Sequence, residues 1–438
     1  KKNRFKLGRT RMNILNFNLP RCHFHTLIEL VKSGHTVYSN YELEHTYESF
    51  LGIIPLTEEE NGIVNGLAGW TPETKEDINV LISDKRKKES ITFIEGLIDK
   101  YKIDVLQICI PNLSYLHTHF KDKVKYIGAP EESGRLETDK LFAKDIAKQL
   151  GVRVPNIIKQ GKYLDEDYCE GLSFPCIEKT SHIWNPAIVL NSEEDIKHLK
   201  ELNSDEEITW PRVANADYYI EEYLHDMIET NVFFVVSNGE YSITHTQEII
   251  GEGLNKTVIP QVWYFDTYIK PLSPSIDKIV RKESEKYLEH IAKMGGSWEG
   301  SFCGAYTSKG EWYFLELNVR PDIFNSTPTF MTGDEYLKGM FEDVSLFGKA
   351  WENKDCRKYL ITSSDDKNEY PIYLHDKYNV AYPNNLSIKD SKYYISDYGV
   401  VGRSDRGTVV SDHNIPKEFL EEVEETSIWK FNREPNGS

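Results

Sequence analysis

The stretch Trp312-Tyr313-Phe314-Leu315-Glu316-Leu317-Asn318-Val319-Arg320-Pro321 constrains this chain most, because an apolar run of strand length turns abruptly polar at its end. Side chains alternate along a strand, so Glu316, Asn318 and Arg320 are expected on one face and Leu315, Leu317 and Val319 on the other. An acid, an amide and a guanidinium then point the same way. Carboxylate and amide oxygens suit Mg²⁺, and a neighbouring guanidinium suits phosphate oxygens. The same three residues also describe an ordinary strand end with a solvated salt bridge, so the surrounding sequence has to decide.

A chain of 438 residues has room for two or three domains with sizeable cores. With 39% hydrophobic and 28% charged residues it reads as globular. No apolar run approaches the roughly 20 residues that cross a bilayer, so no membrane association is expected. The formal charge of −18 argues against general nucleic-acid binding, which needs clustered Lys and Arg. Six cysteines are scattered without C-x-x-C spacing, which suggests neither a zinc site nor a redox pair and fits reduced thiols in the cytoplasm. Lys1 to Arg11 is basic with no apolar core; it reads as a disordered arm or a cloning remnant rather than a secretory signal.

Hydrophobic patterning gives strands at Asn13 to Phe17, His35 to Ser39, Val105 to Ile110 and Val124 to Gly128, with helices at Cys22 to Lys32 and Lys87 to Lys100. That alternation predicts a doubly wound parallel α/β domain over residues 12–130. Thr138 to Leu150 reads as one helix capped by Thr138, on which Lys140, Lys144 and Lys148 form a stripe typical of a solvated face. Strands are expected from Phe174 to Leu190, Tyr218 to Tyr223, Asn231 to Ser237 and Tyr241 to Gln247, then a helix from Tyr287 to Met294. Ser301 to Thr307 should pair with Glu311 to Asn318 across a Ser308-Lys309-Gly310 turn. Residues 336–438 read as a small α+β domain with a helix first, strands near Tyr373, Tyr393 and Val400, and a closing helix from Pro416 to Glu425.

Four segments stand in a telling order. They are Ile127-Gly128-Ala129-Pro130 with Leu136 to Lys144 and Gly151-Val152-Arg153-Val154-Pro155; Pro175-Cys176-Ile177-Glu178-Lys179; Tyr219-Ile220-Glu221-Glu222-Tyr223-Leu224; and Phe314 to Arg320. In this order the chain resembles the ATP-grasp superfamily, in particular its phosphoribosylamine-glycine ligase branch, over residues 12–335. The resemblance implies an α/β and α+β architecture: the N-terminal α/β domain, an ATP-grasp domain over 131–335 with a lid at about 155–225, and the small C-terminal domain.

The resemblance also implies roles for individual residues. Lys140 and Lys179 would hold ATP phosphates as point charges. Backbone groups at Glu222, Tyr223 and Leu224 would read adenine with the Glu221 carboxylate nearby, and Glu229 would take the ribose hydroxyls. Glu316 and Asn318 would hold Mg²⁺, with Mn²⁺ a possible substitute, and Arg320 would grip the transferred phosphoryl group. The implied reaction joins small carboxylate and amine substrates into an amide through an acyl phosphate. Glycinamide ribonucleotide synthesis proper, or a nucleotide-binding protein with impaired catalysis, are the alternatives.

Three departures from the family's pattern stand out. Cys303 occupies the position where many relatives place a third metal-binding acid. The flap after Lys179 is Thr180-Ser181-His182-Ile183-Trp184-Asn185-Pro186, without glycine, so its closure is expected to be stiffer. The first loop, Asn18 to His25, is not glycine-rich, and its His23 and His25 lack a third partner for a metal.

Overall fold

The computed structural model describes residues 11–17, 24–40, 52–68, 84–162, 170–180, 187–202, 217–251, 267–321, 330–352, 355–360, 380–381, 393–397 and 406–411, with isolated positions beyond. The segments 18–23 and 181–186, the expected strands near Tyr373 and Val400, and most of the expected closing helix lie outside these residues.

The first layer is a five-stranded parallel sheet in the order β3-β2-β1-β4-β5. Its strands are β1 (Asn13–Phe17), β2 (Thr36–Ser39), β3 (Ile54–Pro55), β4 (Val105–Ile108) and β5 (Lys125–Ile127). Every residue of β4 is buried, as a central parallel strand covered on both faces must be. Leu15, Leu106 and Ile108 face α2 (Glu58–Ala68), α3 (Asp84–Tyr101) and α4 (Leu116–Phe120). Ile14, Val105 and Cys109 face α1 (Phe24–Lys32) together with α9 (Gly333–Phe341) and α10 (Ser345–Trp351), which arrive from far along the chain. The doubly wound reading of this region therefore stands.

Between α5 (Glu131–Thr138) and α6 (Lys140–Gln149) the structure corrects the expectation of one helix capped by Thr138. Thr138 ends α5. Asp139 leaves helical geometry (φ −130°, ψ 86°) and its carboxylate accepts the Phe142 amide at 3.0 Å, so Asp139 caps α6.

A small antiparallel sheet follows in the order β6-β9-β7-β8, built from β6 (Ile157–Lys162), β7 (Cys176–Thr180), β8 (Ile188–Leu190) and β9 (Asp217–Glu222). One helix, α7 (Glu193–Leu202), accompanies it. The third and largest sheet has nine strands, ordered β14-β13-β10-β11-β12-β15-β18-β17-β16. They are β10 (Met227–Ser237), β11 (Glu240–Gly251), β12 (Thr267–Pro271), β13 (Ser297–Thr307), β14 (Trp312–Asn318), β15 (Asp355–Leu360), β16 (Val380–Ala381), β17 (Tyr393–Asp397) and β18 (Arg406–Ser411). The strands after residue 352 thus continue this sheet through the β12–β15 pairing.

α8 (Pro274–Met294) covers one face of that sheet. It starts 13 residues before the expected Tyr287, because Pro274 at the first helical position sets its start while its charged first half hides the apolar period. Tyr287, Leu288 and Ile291 pack on Phe234, Phe302 and Phe314, and Tyr287 donates its hydroxyl to the Ala143 carbonyl at 2.8 Å, tying α8 to α6. The parallel and nine-stranded sheets join at Gly128, whose amide donates to the Ser297 carbonyl at 2.7 Å. A Cβ there would stand 2.8 Å from the Ile108 carbonyl oxygen, so only glycine allows the approach.

Candidate active site

The site lies where α6, strands β7 and β9 of the four-stranded sheet, and the edge strand β14 with its neighbour β13 meet. Along β14 the alternation expected from sequence breaks. Cys303 pairs with Glu316 but Gly304 pairs with Phe314, which leaves Leu315 as a β-bulge. Trp312 and Phe314 therefore share the core with Leu317 and Val319, while Leu315 is half-buried outside that cluster instead of joining them. The bulge re-aims the strand so that Glu316 and Asn318 leave the core side after Phe314 has filled it.

Two ion clusters result. In the deeper one, Glu221 is gripped by Lys144 Nζ at 2.8 Å and by Lys179 Nζ at 2.7 Å. Both Glu221 and Lys144 are 0% exposed. This corrects the solvated-face reading of the lysine stripe: Tyr219 and Glu221 of β9 cover Lys144, and only Lys148 stays exposed. Burial alone would push Glu221 up; the two ammonium groups outweigh it and hold the carboxyl below its ordinary range. Lys144 is lowered to about 8, because burial outweighs the pull of Glu221 and Lys179 adds repulsion. Lys179 is raised despite burial, since Glu221 and Glu316 both favour its charge.

In the shallower cluster, Lys140 Nζ stands 3.3 Å from Glu316 Oε2. Burial opposes ionisation of Glu316, yet Lys140 and Lys179 carry it down to about 2. Arg320 Nε donates to Glu137 Oε1 at 2.9 Å, and the Val319 amide donates to Glu137 Oε2 at 2.6 Å. Glu137 thus positions the strand end and its guanidinium together. Arg320 Nη2 also reaches Asn318 Oδ1 at 3.3 Å, and Asn318 Nδ2 reaches Ser301 Oγ at 3.3 Å. Glu229 enters from β10, and burial followed by repulsion from Glu316 pushes it up to about 7.

Lys140, Lys179, Glu221, Glu229, Glu316, Asn318 and Arg320 are therefore brought to one place, with Lys179 and Glu316 each shifting the other's ionisation. Glu222, the last residue of β9, and Tyr223 and Leu224 of the link to β10 are half-buried and apart from the ions. Glu222 is tied there by two contacts to Asn156, its amide donating to the Asn156 carbonyl and its Oε1 accepting the Asn156 amide, both at 2.9 Å. Two further residues escaped the sequence reading. For Glu137 the signal is an acid in an otherwise core-facing turn beside Leu136. Lys144 had the signal of its α6 spacing, which does not report what covers the face.

The donor set fits a hard divalent cation. Glu316, Asn318 Oδ1 and Glu229 supply oxygens alone, and the Glu229–Glu316 repulsion is of the kind a cation relieves.

No protein-family model and no curated protein matches the chain. Solved structures do. A biotin carboxylase of Campylobacter jejuni superposes with a TM-score of 0.61 at 15% identity, covering 95% of this chain and 90% of that one. An L-amino acid ligase of Bacillus licheniformis gives 0.61 at 12% identity, with 95% and 97% covered. The N5-carboxyaminoimidazole ribonucleotide synthetase of Thermotoga maritima gives 0.56 at 14%, with 97% and 100% covered. The fold is the ATP-grasp fold. Both ion clusters draw on the four-stranded and the nine-stranded sheets, through Glu221 and Lys179 of the first and Glu316 of the second. No helix among the described residues is long and apolar enough to cross a membrane.

Proposed function

We propose that this ATP-grasp protein is an ATP-dependent carboxylate–amine ligase. The observation that carries the reading is the convergence of Lys140 and Lys179, from a helix and a lid strand, on the acidic edge at Glu316. Two ammonium groups and a guanidinium around one carboxylate make a receptor for a triphosphate whose metal is held by Glu316 and Asn318, with Glu229 beside them.

Lys179 and Lys140 orient the phosphates, and Lys144 with Glu221 keeps Lys179 in place. The half-buried link at Glu222 to Leu224 takes the adenine. Glu316 and Asn318 would hold Mg²⁺, which would supply charge neutralisation at the phosphates. A substrate carboxylate oxygen attacks the γ-phosphorus, the bond to ADP breaks, and Arg320 steadies the acyl phosphate. An amine nitrogen then bonds to the acyl carbon, phosphate leaves with the C–O electrons, and the proton that the nitrogen sheds passes to the departing phosphate. No step needs a protein nucleophile; orientation and fixed charges do the work.

Incubation of the protein with ATP, Mg²⁺ and mixed acids and amines tests this, with ADP release and the mass of an amide product as readouts. An amide with stoichiometric ADP supports the ligase. Tight ATP binding without turnover across the panel favours the catalytically impaired alternative. Cys303, in place of a third metal acid, favours the phosphoribosylamine-glycine ligase branch; phosphoribosylamine and glycine supplied together would then stimulate ADP release, and no stimulation removes that branch.

A further inference from the structure

Beside the ATP cleft, at the carboxyl ends of the parallel strands, lies a second polar cluster that the ligase reading leaves unused. Glu299 of β13 is 3% exposed. Its Oε1 accepts the Tyr336 hydroxyl at 2.9 Å, and that hydroxyl accepts Gln107 Nε2 at 2.9 Å, linking β13, α9 and β4. The other atoms of this chain of groups have no hydrogen-bond partner: Glu299 Oε2 and Gln107 Oε1 are both buried and unmatched. Asn16, register partner of Gln107 on the neighbouring β1, has both amide atoms unmatched as well.

A cavity of about 10 Å³ opens against these groups, lined by Gln107, Cys109, Glu299 and Arg320 among others. It is the size of one water or one ammonium group. Its position, outside the carboxyl end of β4 and next to the β1–β4 switch in strand order, is where open parallel sheets bind ligands. Buried acceptors without donors are costly, and Glu299 has no ion-pair partner among the described residues, so a cation compensates it where a water does so only in part. Burial pushes Glu299 up to about 7, although the Tyr336 hydrogen bond pulls the other way.

We propose that this cavity is a subsite for a primary ammonium group, held by Glu299 Oε2 and Gln107 Oε1. Arg320 lines the same cavity and is itself neutralised by Glu137, so the ammonium sits beside the phosphoryl grip without facing an unpaired positive charge. Resting on the ligase reading, the subsite makes the amine substrate a cationic primary amine rather than an anionic sugar phosphate.

The test is a thermal-unfolding titration of the full chain with methylammonium chloride, against sodium chloride and tetramethylammonium chloride at equal ionic strength. Methylammonium is expected to raise the unfolding temperature of the wild type, tetramethylammonium to do nothing because it does not fit, and Glu299→Gln to weaken the response about tenfold. Gln107→Leu, also expected to weaken it, serves should Glu299→Gln fail to fold. A wild type indifferent to methylammonium, an equal response to both cations, or an undiminished response in the folded variants overturns the proposal. So does a crystal grown in methylammonium that holds only water at Glu299. ADP release with mixed acids and hydroxylamine reports the ligase reading separately, so either idea can fail while the other stands.

Discussion

The two ion clusters of the cleft share Lys179 as a neighbour but differ in what they are open to. Glu221, Lys144 and Lys179 form a closed set, with the acid and Lys144 at 0% side-chain exposure. Glu316 leaves 32% of its side chain exposed against Lys140 at 9%. Glu221 and Lys144 are closed off from solvent and act as structure, while Lys179, at 6% exposure, is held by Glu221 and borders the open set. The open set leaves a third of Glu316 accessible, and in the proposed function phosphate and a divalent ion would replace its contacts. An ATP site therefore needs both: a fixed charge frame, and an exchangeable one in front of it.

Substitutions can break that contrast in descending order of effect. Glu221→Ala strands two buried ammonium groups and is expected to cost about 3–5 kcal/mol, enough to unfold much of the protein, as denaturant titration would show. A loss under 1 kcal/mol would mean the closed set is not structural. Lys179→Ala and Glu316→Ala should abolish ADP release, by at least ~100-fold, the scale for removing one preorganised charge, while far-ultraviolet circular dichroism stays near wild type. Wild-type ADP release in either variant would remove these residues from the site.

Smaller effects concern pH. Glu316 is depressed from 4.5 to about 2, so its contribution is full above 4.5 and lost as pH falls through the window between those values. Glu316→Gln should flatten that acid limb by on the order of 1 kcal/mol, a figure discounted for the exposed part of the side chain. Glu229 runs the other way. Its carboxyl is raised from 4.5 to about 7, so its ionisation opposes folding and stability falls across that window as pH rises. Glu229→Gln should raise the unfolding temperature at pH 8 and leave it unchanged at pH 4; a gain at both values would point to packing instead of charge.

Much of the fold could be read in the chain, because apolar period and turn residues are local properties. The parallel strands and the β13–β14 hairpin came from such signals, whereas the ATP-grasp reading came from the resemblance of four ordered segments. What escaped depends on contacts distant in sequence. Lys144 looked solvated on its helix because its cover, Tyr219 and Glu221, comes from β9 some 75 residues later. The bulge at Leu315 is set by the partner strand, so simple alternation placed Leu315 with Leu317. Asp139 outcompeted Thr138 as a cap once Thr138 was drawn into the preceding helix. The convergence of Lys140, Lys179 and Glu316 was expected only through the family resemblance, since no spacing within the sequence relates them.

The decisive measurement is a double-mutant cycle on Mg·ATP binding by calorimetry, with Lys179→Met, Glu316→Gln and both together. One triphosphate touching both sides of the cleft should give a coupling of at least ~1 kcal/mol between the two substitutions. Additive losses, or unchanged ATP affinity in the double variant, would place the two residues at separate sites and contradict the shared cleft.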